Sequence, residues 1–172
     1  MNYILLINLF TIFPCNFVVK AQSLEYNVKA IYLEKFARFT KWNNGIKGEN
    51  FVIEVFGNSP FNGELEKLAA KTKIKNKPVK IIYSNEIDLV GNNNLLFICS
   101  SEKNKIPSIV KKLESSNILI VSNTEGSCKK GVHLSFYIDN FEKIKYEVNP
   151  AALKKSNLSI EMTLLKFGKI IQ

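Results

Sequence analysis

The stretch from Leu24 to Trp42, LEYNVKAIYLEKFARFTKW, constrains this chain more than any other. On a helical wheel, with about 100° between neighbours, Leu24, Val28, Ile31, Tyr32, Phe36, Phe39 and Trp42 share one broad arc. Tyr26, Ala30, Leu33 and Ala37 make a second apolar arc, with Asn27, Glu34, Arg38 and Lys41 on a narrow polar strip. Glu34 and Arg38 stand four apart on that strip, a pair worth a few tenths of a kcal/mol. A helix this apolar cannot stand on the outside of a domain. It is expected to run to Trp42, packed on a sheet and covered along most of its flank.

The rest of the chain supplies that sheet. Phe51 to Phe56 is branched or aromatic apart from Glu54 and reads as a strand. Gly57-Asn58-Ser59-Pro60 reads as a turn. Ser59 is the expected N-cap and Pro60 the first residue of a helix reaching about Lys71, with Leu65, Leu68 and Ala69 inward. A short strand, Val79–Tyr83, follows among Lys71, Lys73, Lys75, Lys77 and Lys80. Leu95–Cys99 and Ile118–Val121 are unbroken apolar runs, which suit central parallel strands covered on both faces. Ile106, Ile109, Val110 and Leu113 between them mark a crossover helix. Val132, Leu134, Phe136 and Ile138, then Ile144, Tyr146 and Val148, alternate with polar residues around Asp139–Glu142. That is an antiparallel hairpin with one wetter face. Asn149 and Pro150 open a short helix, and a last helix aligns Ile160, Leu164, Phe167 and Ile171. With 172 residues, 46% of them hydrophobic, the chain can bury a core without metal or disulfide staples. The expected architecture is a single three-layer α/β sandwich. Its mixed sheet has central parallel strands and a C-terminal antiparallel hairpin, flanked by helices.

Residues 1–21 have the layout of a secretory signal peptide. Tyr3 to Phe13 is almost purely apolar, Pro14 interrupts it, and Val19-Lys20-Ala21 suits a cut after Ala21. The usual basic residues before the apolar run are missing, so an uncleaved signal anchor is the alternative. Cleavage would leave residues 22–172 as a soluble periplasmic domain that does not itself span the membrane. Cys15 leaves with the signal, and Cys99 and Cys128 remain. In an oxidising compartment these two can pair; equally, they can stay separate thiols, with Cys99 a small core residue.

The net charge of +9 would suit a nucleic acid, an anionic membrane or an acidic partner. A solvated face rich in Lys and Asn is the simpler reading. The lysines from Lys71 to Lys80 carry no aromatic platform for nucleic acid, and protection of an edge strand explains them. Gly57–Gly63 lacks the spacing of a phosphate loop. His133, the only histidine, lies on an alternating strand and reads as a sheet-face residue rather than a base. No nucleophile elbow accompanies it, and two cysteines and one histidine without close spacing do not make a zinc site. No catalytic residue, metal, cofactor or nucleic acid is therefore expected. The loop Ser122–Gly131 ends a central strand, where open α/β sheets usually bind ligands, although a plain connection to the hairpin serves equally. The candidate binding residues are Ser122, Asn123, Glu125 and Gly126, with Phe61 and Phe141 as apolar residues outside the core.

Five segments in order carry a resemblance: YNVKAIYLEKFARFTKW, IEVFGNSPFNGELEKLA, LLFICSSE, ILIVSNTEG, and YEVNPAAL followed by LSIEMTLLKFGKI. Together, from about Leu24 to the C-terminus, they resemble the YfiR family of small exported bacterial α/β proteins. Gly57, Pro60 and Phe61 match the family's turn. Asn123 stands where the family often has Asp, and Lys130-Gly131 replaces a Gly-Gly pair. The family's cysteine before the LLFI-type strand falls at Asn94 or a neighbouring Asn. The resemblance implies a periplasmic regulatory binding protein that docks on the extracytoplasmic part of an inner-membrane signalling protein. That partner would be a diguanylate cyclase, repressed in cyclic-di-GMP signalling, or a sensor kinase; a homodimer is open. The other reading is a small-molecule or anion-binding protein of the cell envelope, using the strand-end loops.

Overall fold

The computed structural model describes residues 16–87, 91 and 93–171, with side chains from Leu24 onward. Residues 1–15, most of the expected signal peptide, lie outside the described residues; its last residues, from Asn16, are helical. Helix α1 (Asn16–Phe39) leads into a short strand, β1 (Thr40–Trp42), and then β2 (Phe51–Phe56). Helix α2 (Glu64–Ala69), a hairpin of β3 (Lys73–Ile74) and β4 (Lys77–Ser84), and β5 (Leu95–Ile98) follow. Next come α3 (Ile106–Lys112), β6 (Leu119–Ser122), β7 (Leu134–Ile138) and β8 (Ile144–Val148). The chain closes with α4 (Pro150–Lys155), β9 (Leu158–Ile160), α5 (Met162–Phe167) and β10 (Lys169–Ile170).

Eight strands form one mixed sheet in the order β10-β8-β7-β6-β5-β2-β4-β3. Strands β4, β2, β5, β6 and β7 run parallel to one another, β3 pairs antiparallel with β4, and β7 and β8 form the expected antiparallel hairpin, Ile138 facing Ile144. The sheet has a core on each face. Ile53, Val55, Leu95, Phe97, Leu119 and Val121 point to one face and pack with Leu33, Phe36 and Ala37 of α1, Leu65 of α2 and Leu164 of α5. Phe56, Leu96, Ile98 and Ile120 point to the other and pack with Ile106 and Ile109 of α3. The crossover helix thus lies where its apolar spacing of three and four placed it. Asn149 caps α4 as expected, its Oδ1 accepting the N–H of Ala152 at 2.9 Å. Glu34 and Arg38 also form the expected pair, Nε to carboxylate 2.7 Å.

Four expectations are corrected. Helix α1 stops at Phe39, because Thr40 turns its hydroxyl onto the Phe36 carbonyl at 2.7 Å and Thr40–Trp42 pairs antiparallel with β9. Its inner face is Tyr26, Ala30, Leu33, Phe36 and Ala37, so Leu24 and Ile31 of the larger apolar arc remain 67% and 45% exposed. Helix α2 begins at Glu64 rather than Pro60. Asn62 and Gly63 both take positive φ, which turns the chain once more before a helix can start. The last helix is a strand, a six-residue helix and a strand; Leu164 is buried, but Phe167 points outward. The hairpin's second face is buried as well, with Ser135 and Glu147 both closed off from solvent.

Candidate functional site

The carboxyl edge of the central strands is where Ser122, Asn123, Glu125 and Gly126 lie. Ser122 is fully buried and its Oγ accepts the N–H of Thr124 at 3.1 Å, which folds the loop back on the strand end. The Asn123 side chain joins this edge to α1. Its Oδ1 accepts from Lys29 Nζ at 2.6 Å, and its Nδ2 donates to the Tyr26 hydroxyl at 2.8 Å. Lys29 is only 4% exposed, paired with Glu25 one turn earlier, and its ammonium sits 4.8 Å from the Tyr26 ring centre and 5.7 Å from that of Phe136. A buried ammonium is tolerated only when partners replace its water; here a carboxylate, an amide oxygen and two ring faces do so.

Behind the loop lies a second buried charge. Glu147 faces Ser135 across the hairpin, and its Oε2 accepts from Ser135 Oγ at 2.9 Å and from the Gly126 N–H at 3.1 Å. Lys169 on β10 lies 3.5 Å from the other oxygen. Asn123 and Gly126 therefore act as internal anchors, one for α1 and one for the hairpin. Glu125 is exposed beside them.

The aromatic candidates separate. Phe141, at the hairpin tip, is 80% exposed. Phe61, expected outside the core, is fully buried, meeting Tyr26 edge to face at 5.4 Å and Phe97 at 5.0 Å. The extra turn at Asn62-Gly63 swings it inward. Cys99 and Cys128, for which pairing and separation were both open, are free and buried. Burial pushes both thiols up to about 12, so they stay protonated and unreactive.

His133 is held in a role that excludes base catalysis. The Ile120 N–H donates to Nδ1 at 2.9 Å, so Nδ1 carries no proton and Nε2–H donates to Ser156 Oγ at 3.0 Å. This imidazole cannot take the serine proton. Among the described residues no group of three or more His, Cys, Asp or Glu is placed to hold a metal ion, and no helix is long and apolar enough to cross a membrane.

Sequence reasoning missed two features. The buried Lys29 was legible as a lysine on the apolar side of the wheel, four residues after Glu25. The second is an exposed apolar group: Met162 (76% exposed), Phe167 (69%) and Ile170 (53%) on α5 and β10, lining a hollow of about 580 Å³ with Lys166. Helix α5 touches α1, whose outer face shows Leu24 and Ile31. Nothing in the sequence marked Phe167 as outward, because its spacing fits an inward helical stripe.

A sequence profile described as YfiR/HmsC-like matches residues 26–169, nearly the whole described chain. No curated protein matches the sequence. A crystal structure of a conserved domain protein from Vibrio cholerae O1 biovar El Tor is similar in fold, with a TM-score of 0.59 at 9% identity. The match covers 86% of this chain and 60% of that one.

Proposed function

The chain belongs to the YfiR/HmsC-like family, and from that premise we propose that it is an exported regulatory binding protein of the periplasm without catalysis of its own. Family membership carries the expectation of a regulator of cyclic-di-GMP signalling with a protein partner at the inner membrane. In this reading the chain docks on the extracytoplasmic part of a diguanylate cyclase and holds it inactive. A docked regulator can only shift the cyclase by preferring one of its conformations. A thousandfold preference would correspond to about 4 kcal/mol.

The observation that supports a docking role is the apolar group Met162, Phe167 and Ile170, with Leu24 and Ile31 on the adjoining helix. Monomeric proteins seldom leave several large apolar side chains exposed together without an interaction to cover them. Lys166 flanks the group and suits an acidic partner surface. Phe141 and the Ser122–Gly131 loop are secondary candidates.

The test is genetic and chemical together. Deleting the gene in its native host should raise cyclic-di-GMP, and the wild-type chain should restore the low level. Met162→Ser with Phe167→Ser should fail to restore it at equal abundance and unchanged melting temperature. A photocrosslinker at position 167 should recover one inner-membrane protein carrying a cyclase domain. Normal repression by the double variant would overturn the assignment of this surface, and an unchanged cyclic-di-GMP level on deletion would overturn the function.

A further inference from the structure

Three stretches distant in sequence bring cations together beside Trp42, which packs edge to face on Phe51 at the start of β2. Arg38 and Lys41 come from the end of α1 and from β1, and Lys47 from the loop before β2. Lys73, Lys75 and Lys77 come from the β3–β4 hairpin. Hydrogen bonds to backbone tie these stretches to one another. Lys75 Nζ donates to the Arg38 carbonyl at 2.7 Å, an Arg38 Nη donates to the Lys73 carbonyl at 3.3 Å, and Lys77 Nζ donates to the Gly48 carbonyl. Lys41, Lys75 and Lys77 line one open hollow of about 370 Å³ with Trp42 and Ile46. Burial pushes the Lys75 ammonium down from its ordinary value; Glu161 opposes the shift, and Arg38 and Lys41 add to it.

The fold does not balance this charge. Glu34, Glu49 and Glu161 border the group, and Glu34 already holds Arg38. Six cations and three carboxylates leave a local charge of +3. Like charges held together oppose folding. Protection of the sheet edge accounts for Lys77 on β4, but not for Lys47 in its loop or Lys75 at the hairpin tip. The turn Lys75-Asn76 takes positive φ at both residues, a conformation that favours Asn, Asp or Gly over lysine.

The makeup of the group selects its partner. Five of the six cations are lysines, and the one arginine is engaged by Glu34. Lysine is a flexible point charge, whereas the planar guanidinium is favoured for fixed carboxylate pairs and at protein interfaces. Trp42 is only 8% exposed. It therefore offers neither an anchor for a protein partner nor a stacking face for a nucleic-acid base. A fluid array of phosphates needs neither. We propose that this face rests on an anionic phospholipid surface, with Lys41, Lys47, Lys75 and Lys77 among the headgroups. The inference does not depend on the regulatory reading and uses other residues than the apolar group on α5 and β10.

The test is sedimentation of the purified exported chain with vesicles of phosphatidylglycerol mixed into phosphatidylcholine, and with phosphatidylcholine alone. Binding should be confined to the anionic vesicles and should be lost as salt rises from about 0.05 M to about 0.5 M, because the screening length shortens. Lys41→Gln with Lys75→Gln should weaken binding about thirtyfold, the combined effect of two lysines near such a surface. Lys41→Arg with Lys75→Arg should retain it. Lys129→Gln with Lys130→Gln, an equal loss of charge at the carboxyl edge, should weaken it no more than about twofold. No binding to the anionic vesicles would overturn the proposal and leave an acidic protein as the partner of this face. Equal binding to neutral vesicles, binding that survives high salt, loss in the arginine pair, or equal weakening by both glutamine pairs would each overturn it as well.

Discussion

The Ile120 N–H and the surrounding core leave His133 neutral, and burial pushes its imidazole down to about 4 from an ordinary value near 6.5. Between those values the unfolded chain binds a proton that the folded chain refuses, so stability rises with pH across that window. The contribution is fully present above about pH 6.5 and is lost as the pH falls toward 4, where it costs about 3 kcal/mol. Urea unfolding at pH 7 and pH 4 should show this loss, and His133→Asn should lower stability at pH 7 and remove this part of the pH dependence, so that the variant's deficit shrinks toward pH 4. Gly57 is a second single-residue constraint. It holds φ +98°, and a Cβ there would meet Glu102 Cγ at 2.5 Å and Cys99 Cβ at 3.3 Å. Gly57→Ala should therefore cost about 2 kcal/mol or more by equilibrium unfolding; a loss under half that would show that Glu102 gives way freely.

Among the elements, those legible in the sequence have local causes. The apolar runs at Leu95 and Leu119 could be central strands because nothing polar interrupts them, and Asn149-Pro150 could only open a helix. The turn after β2 was misread because Ser59-Pro60 is a good helix start, whereas the positive φ at Asn62 and Gly63 is fixed by where Phe61 must go. That placement yields a paired prediction. Phe61→Ala should destabilise the fold by about 3–5 kcal/mol, as a large buried ring does when removed. Phe141→Ser, at the exposed tip, should stay within about 0.5 kcal/mol of wild type. Thermal melts of the two variants side by side decide the assignment, and equal losses would contradict it. The C-terminal segment was misread for a different reason. Ile160 and Ile171 sit at spacings that suit a helix, yet β1 and β8 offer strand partners to β9 and β10.

At the scale of the molecule, α1 is held by more than its apolar face, since Lys29 and Tyr26 tie it to Asn123 at the sheet edge. Truncation that spares Leu24 onward keeps this bond set. Export with cleavage after Ala21 therefore predicts an intact mass beginning at Gln22 for the chain recovered from its host. Alkylation of the same sample should label Cys99 and Cys128 only after denaturation. A mass that retains residues 1–21 would make the segment an anchor, and a mass two hydrogen atoms lighter with no alkylation after denaturation would mean that the thiols pair.

The sequence by itself determined the α/β class, the parallel centre, the crossover helix, the hairpin and the family, because each rests on local periodicity or on an ordered set of motifs. Its candidate binding residues were only partly legible: the loop was found, but its role as an anchor was not. Only the tertiary structure decided that Asn123 and Gly126 serve two buried charges, that Phe61 lies inside, and that Met162 and Phe167 lie outside. The reason is physical. Periodicity reports which residues can share a face, whereas which face is covered depends on partners brought together from distant parts of the chain, and those contacts leave no local signature.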